Sequence, residues 1–132
     1  MRKALDLAVV LLAFLALAVP ALAQDLPAPL RARKAGDLGT VLTGPTGMTL
    51  YTFKNDKDGT SVCNGPCAEN WPPFKPEAGA PAAKAPLGVT TRGDGSRQYT
   101  WKGKPLYYWK SDKKPGDATG HMARNIWFAA QP

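Results

Sequence analysis

The sequence predicts a mainly β fold: a small antiparallel β domain built from two pseudo-symmetric half-repeats, hairpin and meander, with short helical turns. Three observations predict it. The hexapeptide Tyr51-Thr52-Phe53-Lys54-Asn55-Asp56 returns as Tyr107-Tyr108-Trp109-Lys110-Ser111-Asp112. Each copy follows a leucine (Leu50, Leu106) and, three residues earlier, a glycine (Gly47, Gly103). Short β-branched and aromatic runs alternate with Gly, Pro, Asn and Asp clusters, and no long stretch after the N-terminus carries a helical period. An open solenoid needs about three repeats to bury a core, so two halves are expected to pack on each other.

Residues 1–23 read as a secretory signal. Arg2 and Lys3 start it, 5–19 is apolar apart from Asp6, Pro20 breaks it, and Ala21-Leu22-Ala23 ends it as a small-x-small cleavage site. The apolar run is shorter than the roughly 20 residues of a membrane span. Cleavage after Ala23 implies a periplasmic or secreted bacterial protein, with no transmembrane span left. No cysteine stands at the cleavage point to take a lipid.

Residues 24–37, with Pro27, Pro29 and several charges, are expected to be a flexible N-terminal segment, and 38–132 a single β domain. Its half-repeats are predicted at 38–74 and 88–129, joined by an Ala/Pro-rich linker over 75–87. In the first half, Thr40-Val41-Leu42-Thr43 suits a strand, Gly44-Pro45-Thr46-Gly47 a turn, and 48–53 the returning strand of a hairpin. Asn55 to Gly59 is a polar loop, and Pro66 fits the first position of a short helical turn. In the second half, strands are expected over 87–92, 97–101 and 105–109, with turns at Gly93-Asp94-Gly95 and Lys102-Gly103-Lys104. A loop over 111–120 leads to a last short strand over 125–129. Asn70-Trp71 closes the first half as Asn125-Ile126-Trp127 closes the second.

Strand alternation puts Tyr51 and Phe53 on one face and Leu50 and Thr52 on the other, and likewise Tyr107 and Trp109 opposite Leu106 and Tyr108. Rings at that spacing suit a core. Asp56 and Asp112, just past the strand ends, suit carboxylates that accept hydrogen bonds from loop N–H groups. A sharper reading makes the tyrosines and aspartates facing walls of a ligand site, with Asp56 and Asp112 as paired carboxylates. The aromatics Tyr99, Trp101, Tyr107, Tyr108 and Trp109 suit a core, and a glycan surface is the alternative.

Cys63 and Cys67 are the only cysteines. An exported context favours a structural disulfide, and a spacing of four lies within reach of one. The spacing is not that of a thioredoxin motif or of c-type haem attachment. His121, the lone histidine, and Met122 join the cysteines and Met48 as soft ligands of the kind copper takes, although none shows metal-site spacing. Arg92-Gly93-Asp94 reads as an ordinary hairpin turn. The formal charge is +7. A basic exported domain is attracted to anionic surfaces, but the cations are scattered. No nucleic-acid motif, phosphate loop, nucleophile elbow or zinc-protease helix is present.

The two Tyr-x-aromatic-x-x-Asp copies resemble a bacterial family of secreted repeats and predicted lipoproteins of unknown function. Ser61-Val62-Cys63-Asn64-Gly65-Pro66-Cys67-Ala68 before Trp71-Pro72-Pro73 resembles that family's cysteine segment, and Gly116-Asp117-Ala118-Thr119-Gly120 before Trp127 its closing segment. The resemblance runs from about Gly36 to Phe128. It implies an exported or envelope location and supplies no reaction.

The resulting expectation is a monomeric, non-catalytic binding or structural module of the envelope, without cofactor, metal or nucleic acid. Its expected partner is an unidentified envelope component, for which an anionic surface and a glycan are the candidates. The alternative is a periplasmic redox or copper-handling protein using Cys63, Cys67, His121 and Met122. Either way the working surface falls to the loops at 57–67 and 113–122.

Overall fold

The computed structural model describes residues 12–16 and 25–132. The predicted signal segment, apart from 12–16, and its cleavage site lie outside the described residues. Among the described residues no helix is long and apolar enough to cross a membrane.

Among the described residues, seven short strands make three small antiparallel sheets. The first pairs β1 (Arg31–Lys34) with β2 (Thr40–Thr43) around a 3-10 turn at Gly36–Leu38. The expected flexible segment at 24–37 is thus corrected: it contains a strand. Every residue of β1 is exposed, so its composition carries no strand signal, but the flanking Leu30 and Ala35 are buried and hold it against β2.

The expected hairpin from β2 to 48–53 begins and then parts. Thr43 bridges Thr49 and the Leu50 N–H reaches the Leu42 carbonyl at 2.9 Å. Beyond that point β3 (Tyr51–Phe53) turns away and pairs with β7 (Trp127–Ala129), Tyr51 opposite Ala129 and Phe53 opposite Trp127. The α-helical turn α1 (Pro66–Asn70) opens on Pro66 as expected, since its first position leaves no N–H to lose.

The second half holds β4 (Leu87–Thr91), β5 (Arg97–Trp101) and β6 (Lys104–Pro105), a meander in that order. The strand expected over 105–109 also pairs back only briefly. Tyr107 leaves to bridge both Tyr51 and Pro73.

Both departures have one cause: each half closes on the other. In the first half the Leu50 N–H donates to Leu42, Leu42 to the Ala130 carbonyl at 2.8 Å, and Ala130 back to Leu50 at 2.8 Å. In the second half Leu106 donates to Tyr99 at 3.0 Å, Tyr99 to the Phe74 carbonyl at 2.8 Å, and Phe74 back to Leu106 at 2.9 Å. Ala130 ends the second half and Phe74 ends the first, so the closing segments are exchanged. Between the two triangles Tyr51 and Tyr107 exchange both main-chain bonds, at 2.8 and 3.0 Å. Such a hydrogen-bonded antiparallel pair has a local two-fold, and it is the pseudo-dyad of the protein.

Two cores flank this dyad, and strand alternation sorts the motif between them as expected. Leu50 and Leu106 enter one core with Leu42, Phe74, Leu87, Tyr99, Trp101 and Ala130, and Tyr108 packs against it. Tyr51 and Tyr107 enter the other with Trp71, Trp127, Cys63 and Val41, and Phe53 and Trp109 pack against that one. Both cores draw on both halves.

Because each half lacks its own third segment, a polypeptide of residues 88–132 alone is expected to show no cooperative thermal unfolding by circular dichroism. Cleavage of the whole protein within the exposed linker at 76–84 should leave the halves associated on gel filtration. A folded isolated half would refute the exchange.

Candidate functional site: a reciprocal tyrosine–aspartate latch

The side chains at the dyad repeat the exchange seen in the backbone. The Tyr51 hydroxyl, from the first motif, donates to Asp112 Oδ2 of the second at 2.6 Å. The Tyr107 hydroxyl, from the second, donates to Asp56 Oδ2 of the first at 2.6 Å. Each carboxylate uses its other oxygen to hold the loop that follows it. Asp56 Oδ1 accepts the Val62 N–H at 2.9 Å, and Asp112 Oδ1 accepts the Thr119 N–H at 2.9 Å and its hydroxyl at 2.7 Å. The predicted loop-holding role of the aspartates is thus present. The paired-carboxylate alternative is corrected: the two carboxylates take separate partners, each the tyrosine of the other repeat.

Burial dominates the protonation of these groups. Burial, and then the bond to Asp112, raises the Tyr51 phenol well above its ordinary value. Burial, and then the bond to Asp56, does the same for Tyr107. Both tyrosines remain donors across the physiological range. Burial also raises the Asp56 carboxyl above its ordinary value, against the opposing pull of Tyr107, the Val62 N–H and the charge of Arg92.

Above the latches lies a stack of four rings with the same symmetry. Phe53 stacks on Trp127 at 4.1 Å, Trp127 on Trp71 at 3.9 Å, and Trp71 on Trp109 at 4.1 Å. Tyr51 meets Trp71 edge-on at 5.4 Å, and Tyr107 meets Trp127 edge-on at 5.1 Å. Each contact of this kind contributes about 0.5–1.5 kcal/mol beyond its buried area. Gly120 lets the second loop close on the stack, since a Cβ there would stand 2.7 Å from Trp71. Its N–H also donates to the Tyr51 hydroxyl at 3.3 Å.

The two latches differ in their backing. The Tyr107 oxygen, its one proton given to Asp56, lies 2.7 Å from Ser61 Oγ and accepts the serine hydroxyl, and Ser61 Oγ in turn accepts Arg92 Nη1 at 3.0 Å. Arg92, only 4% exposed, also donates to Gln98 Oε1 at 2.7 Å and to the Cys63 carbonyl at 2.6 Å, and Gln98 Nε2 donates to the Leu106 carbonyl at 2.7 Å. A buried guanidinium is costly unless its surroundings supply acceptors and opposite charge; here neutral oxygens serve Nη1 and Nη2 and nearby Asp56 supplies the charge, while Nε is left without a partner. Arg92, Ser61, Gln98, Thr119 and Gly120 were missed by sequence reasoning. Arg92 reads as a turn residue beside Gly93, and nothing local marks a buried arginine. The recurrence of a hydroxyl residue in the loop after each aspartate was the one available signal for Ser61 and Thr119.

Cys63 and Cys67 form a disulfide, with Cα atoms 5.2 Å apart. Cys63 is fully buried, and its carbonyl receives Arg92, so the bridge fastens the first loop behind the Asp56 latch. His121 Nδ1 accepts the Ala129 N–H at 3.0 Å, and Met122 is exposed. The described residues contain no group of three or more His, Cys, Asp or Glu side chains arranged to hold a metal ion. Tyr99, Trp101 and Tyr107 are buried, whereas Tyr108 and Trp109 are half-buried.

A family profile described as a secreted repeat of unknown function matches residues 32–75 and again 88–131. Together these stretches cover most of the chain. The chain belongs to this family of secreted repeats. Its two matched stretches start 56 residues apart, the same offset that separates Tyr51 from Tyr107, and each contains one latch tyrosine and one latch aspartate. No curated protein and no solved structure matches the chain.

The exchange gives a sharp test by double-mutant cycles. Tyr51→Phe leaves Asp112 Oδ2 without its donor and should cost about 1–3 kcal/mol in urea unfolding. Tyr51→Phe should couple to Asp112→Ala by about 1 kcal/mol or more and to Asp56→Ala by less than about 0.5 kcal/mol. The reverse pattern would mean that each latch closes within its own repeat.

A second test reads Asp56 itself. Its folded carboxyl binds its proton more tightly than the unfolded one, so its contribution favours folding at acid pH and is lost as pH rises through its folded value. Carbon-13 NMR titration should place it above the ordinary 3.8. Tyr107→Phe, which removes a bond favouring the carboxylate, should raise it further. A midpoint at or below 3.8 would refute the dominance of burial.

Proposed function

We propose that this exported repeat protein is a non-catalytic binding or structural module of the bacterial cell envelope. The observation that supports it most is the use made of the motif's polar atoms. Tyr51 and Tyr107 spend their hydroxyls on Asp112 and Asp56, and the carboxylates spend their remaining oxygens on the loops behind them. General acid–base or nucleophilic chemistry needs such groups aimed at a substrate. Here they fasten one half to the other. On this reading the motif is a scaffold, and contact with partners falls to the loops it braces, 57–67 and 113–122. These loops carry exposed Lys57, Asp58, Val62, Lys113 and Lys114.

The redox or copper-handling reading draws less support. Both thiols are joined in the disulfide, and His121 has already committed Nδ1 to the backbone. Protein isolated from its native compartment is expected to hold no stoichiometric copper by elemental analysis. It is expected to turn over no substrate in an unbiased hydrolase and redox screen. Turnover that is lost in Tyr107→Phe or Asp112→Asn variants that remain folded would overturn the scaffold reading. Copper lost in Cys63→Ser would move the assignment to the alternative.

A further inference from the structure

Folding gathers cations that the sequence keeps apart. The two densest basic groups, Arg31-Ala32-Arg33-Lys34 and Lys110-Ser111-Asp112-Lys113-Lys114, are separated by most of the domain. The first group is β1, whose four residues are all exposed. Its register sets Arg31 opposite Thr43 and Arg33 opposite Val41, so both arginines share one face of the sheet with those residues. Val41 belongs to the core against which Ala118 of the second loop packs. The arginines thus stand on the side of β1 along which that loop runs.

Arg33 meets the loop directly. Its Nε would stand 3.5 Å from a Cβ at Gly116, and its Nη1 3.9 Å from one at Gly47, where Pro115 also packs. The turn around Gly116 is held from within and from behind. Asp117 Oδ2 accepts the Lys113 N–H at 2.9 Å and the Lys114 N–H at 3.2 Å, and the Thr49 hydroxyl donates to the Asp117 carbonyl. Lys113 and Lys114 are exposed, so their side chains leave a turn whose main chain is fixed. Arg31, Arg33, Lys113 and Lys114 accordingly form one basic patch across two elements.

The acids nearby do not cancel it. Asp117 is the carboxylate of the turn, and it offsets one of these cations while spending Oδ2 on the main chain. Asp112, in the same stretch, is buried in its latch with Tyr51. Asp37, exposed on the 3-10 turn, is matched by exposed Lys34 just before it. Charges on an edge strand also block unwanted strand pairing. That role is complete within β1 and needs no second element to set two lysines beside the arginines.

We propose that this patch docks the protein on an anionic phospholipid surface, which names a partner for the second loop and rests on the binding-module reading given above. Attraction to such a surface decays within about 10 Å at 0.1 M salt, so only cations exposed together contribute, each adding about fivefold to the affinity. An arginine guanidinium also takes two oxygens of one phosphate. Position along the chain favours lipid over an acidic polysaccharide. Only Pro20 to Leu30 separate the apolar stretch 5–19 from Arg31, and fully extended they span at most about 40 Å. On the expected export route the patch therefore emerges beside lipid phosphates.

The test is co-sedimentation of the full-length exported protein with vesicles of phosphatidylcholine and phosphatidylglycerol in a two-to-one ratio, with pure phosphatidylcholine vesicles as the reference and alginate as a soluble competitor. The mixed vesicles should bind the protein, the pure ones should not, and added salt should release it. Arg33→Gln and Lys113→Gln should each weaken binding about fivefold with the thermal midpoint nearly unchanged, since both side chains are exposed. Arg97→Gln, exposed on β5 and outside the patch, should change it less than about twofold. The double variant Arg31→Glu with Arg33→Glu keeps the edge strand charged and should abolish binding. Lys113→Glu with Lys114→Glu, which leaves β1 untouched, should abolish it too. Equal binding to both kinds of vesicle, no binding to either, equal losses in Arg33→Gln and Arg97→Gln, or tighter binding to alginate than to the mixed vesicles would overturn the proposal. Patch-dependent vesicle binding by a protein that also turns over a substrate would support the patch while sinking the non-catalytic reading, so the two can fail separately.

Discussion

The exchange of main-chain hydrogen bonds between Tyr51 and Tyr107 is the constraint on which the rest of this protein depends. An antiparallel pair that donates in both directions carries a two-fold at its midpoint. Once two copies of a strand meet that way, every neighbour of one copy has a counterpart beside the other. The crossed tyrosine–aspartate bonds, the exchanged closing segments and the four-ring stack are consequences of that single meeting. None of them can form within one half.

This accounts for the economy of the fold. Strands of two to five residues in three separate sheets would be marginal alone, since isolated two-stranded ribbons have little independent stability. Exchange turns each sheet's missing partner into an interface, so both cores are shared between the halves. The latch then carries order outward. A carboxylate that accepts a hydroxyl from across the dyad and an N–H from its own loop makes the loop's conformation contingent on the pairing of the halves. The disulfide adds a further restraint to the first loop, and Gly120 lets the second close directly on tryptophan.

The two halves depart from symmetry in what backs each latch. Around the Asp56 latch stand Ser61, Gln98 and the buried Arg92, while around the Asp112 latch stand Thr119 and Gly120. Tyr99 and Phe74 fill the core beside the second main-chain triangle where the smaller Leu42 and Ala130 fill it beside the first. A duplicated frame needs only one set of fastenings per half.

The sequence by itself determined the duplication, the mainly β class, the membership in a secreted repeat family and the sorting of the motif between two faces. Each depends on spacing or strand alternation, which are local. It also placed the helical turn on Pro66 and the cysteines within reach of one another. Only the tertiary structure decided that the strands leave their hairpins, that Arg31–Lys34 is a strand, and that Arg92 is buried. It alone showed that each tyrosine binds the other repeat's aspartate. A tyrosine five residues before an aspartate reads identically whether the bond closes within a copy or across to its twin. What distinguishes them is the register of pairing between segments more than 50 residues apart, and no local residue pattern encodes it.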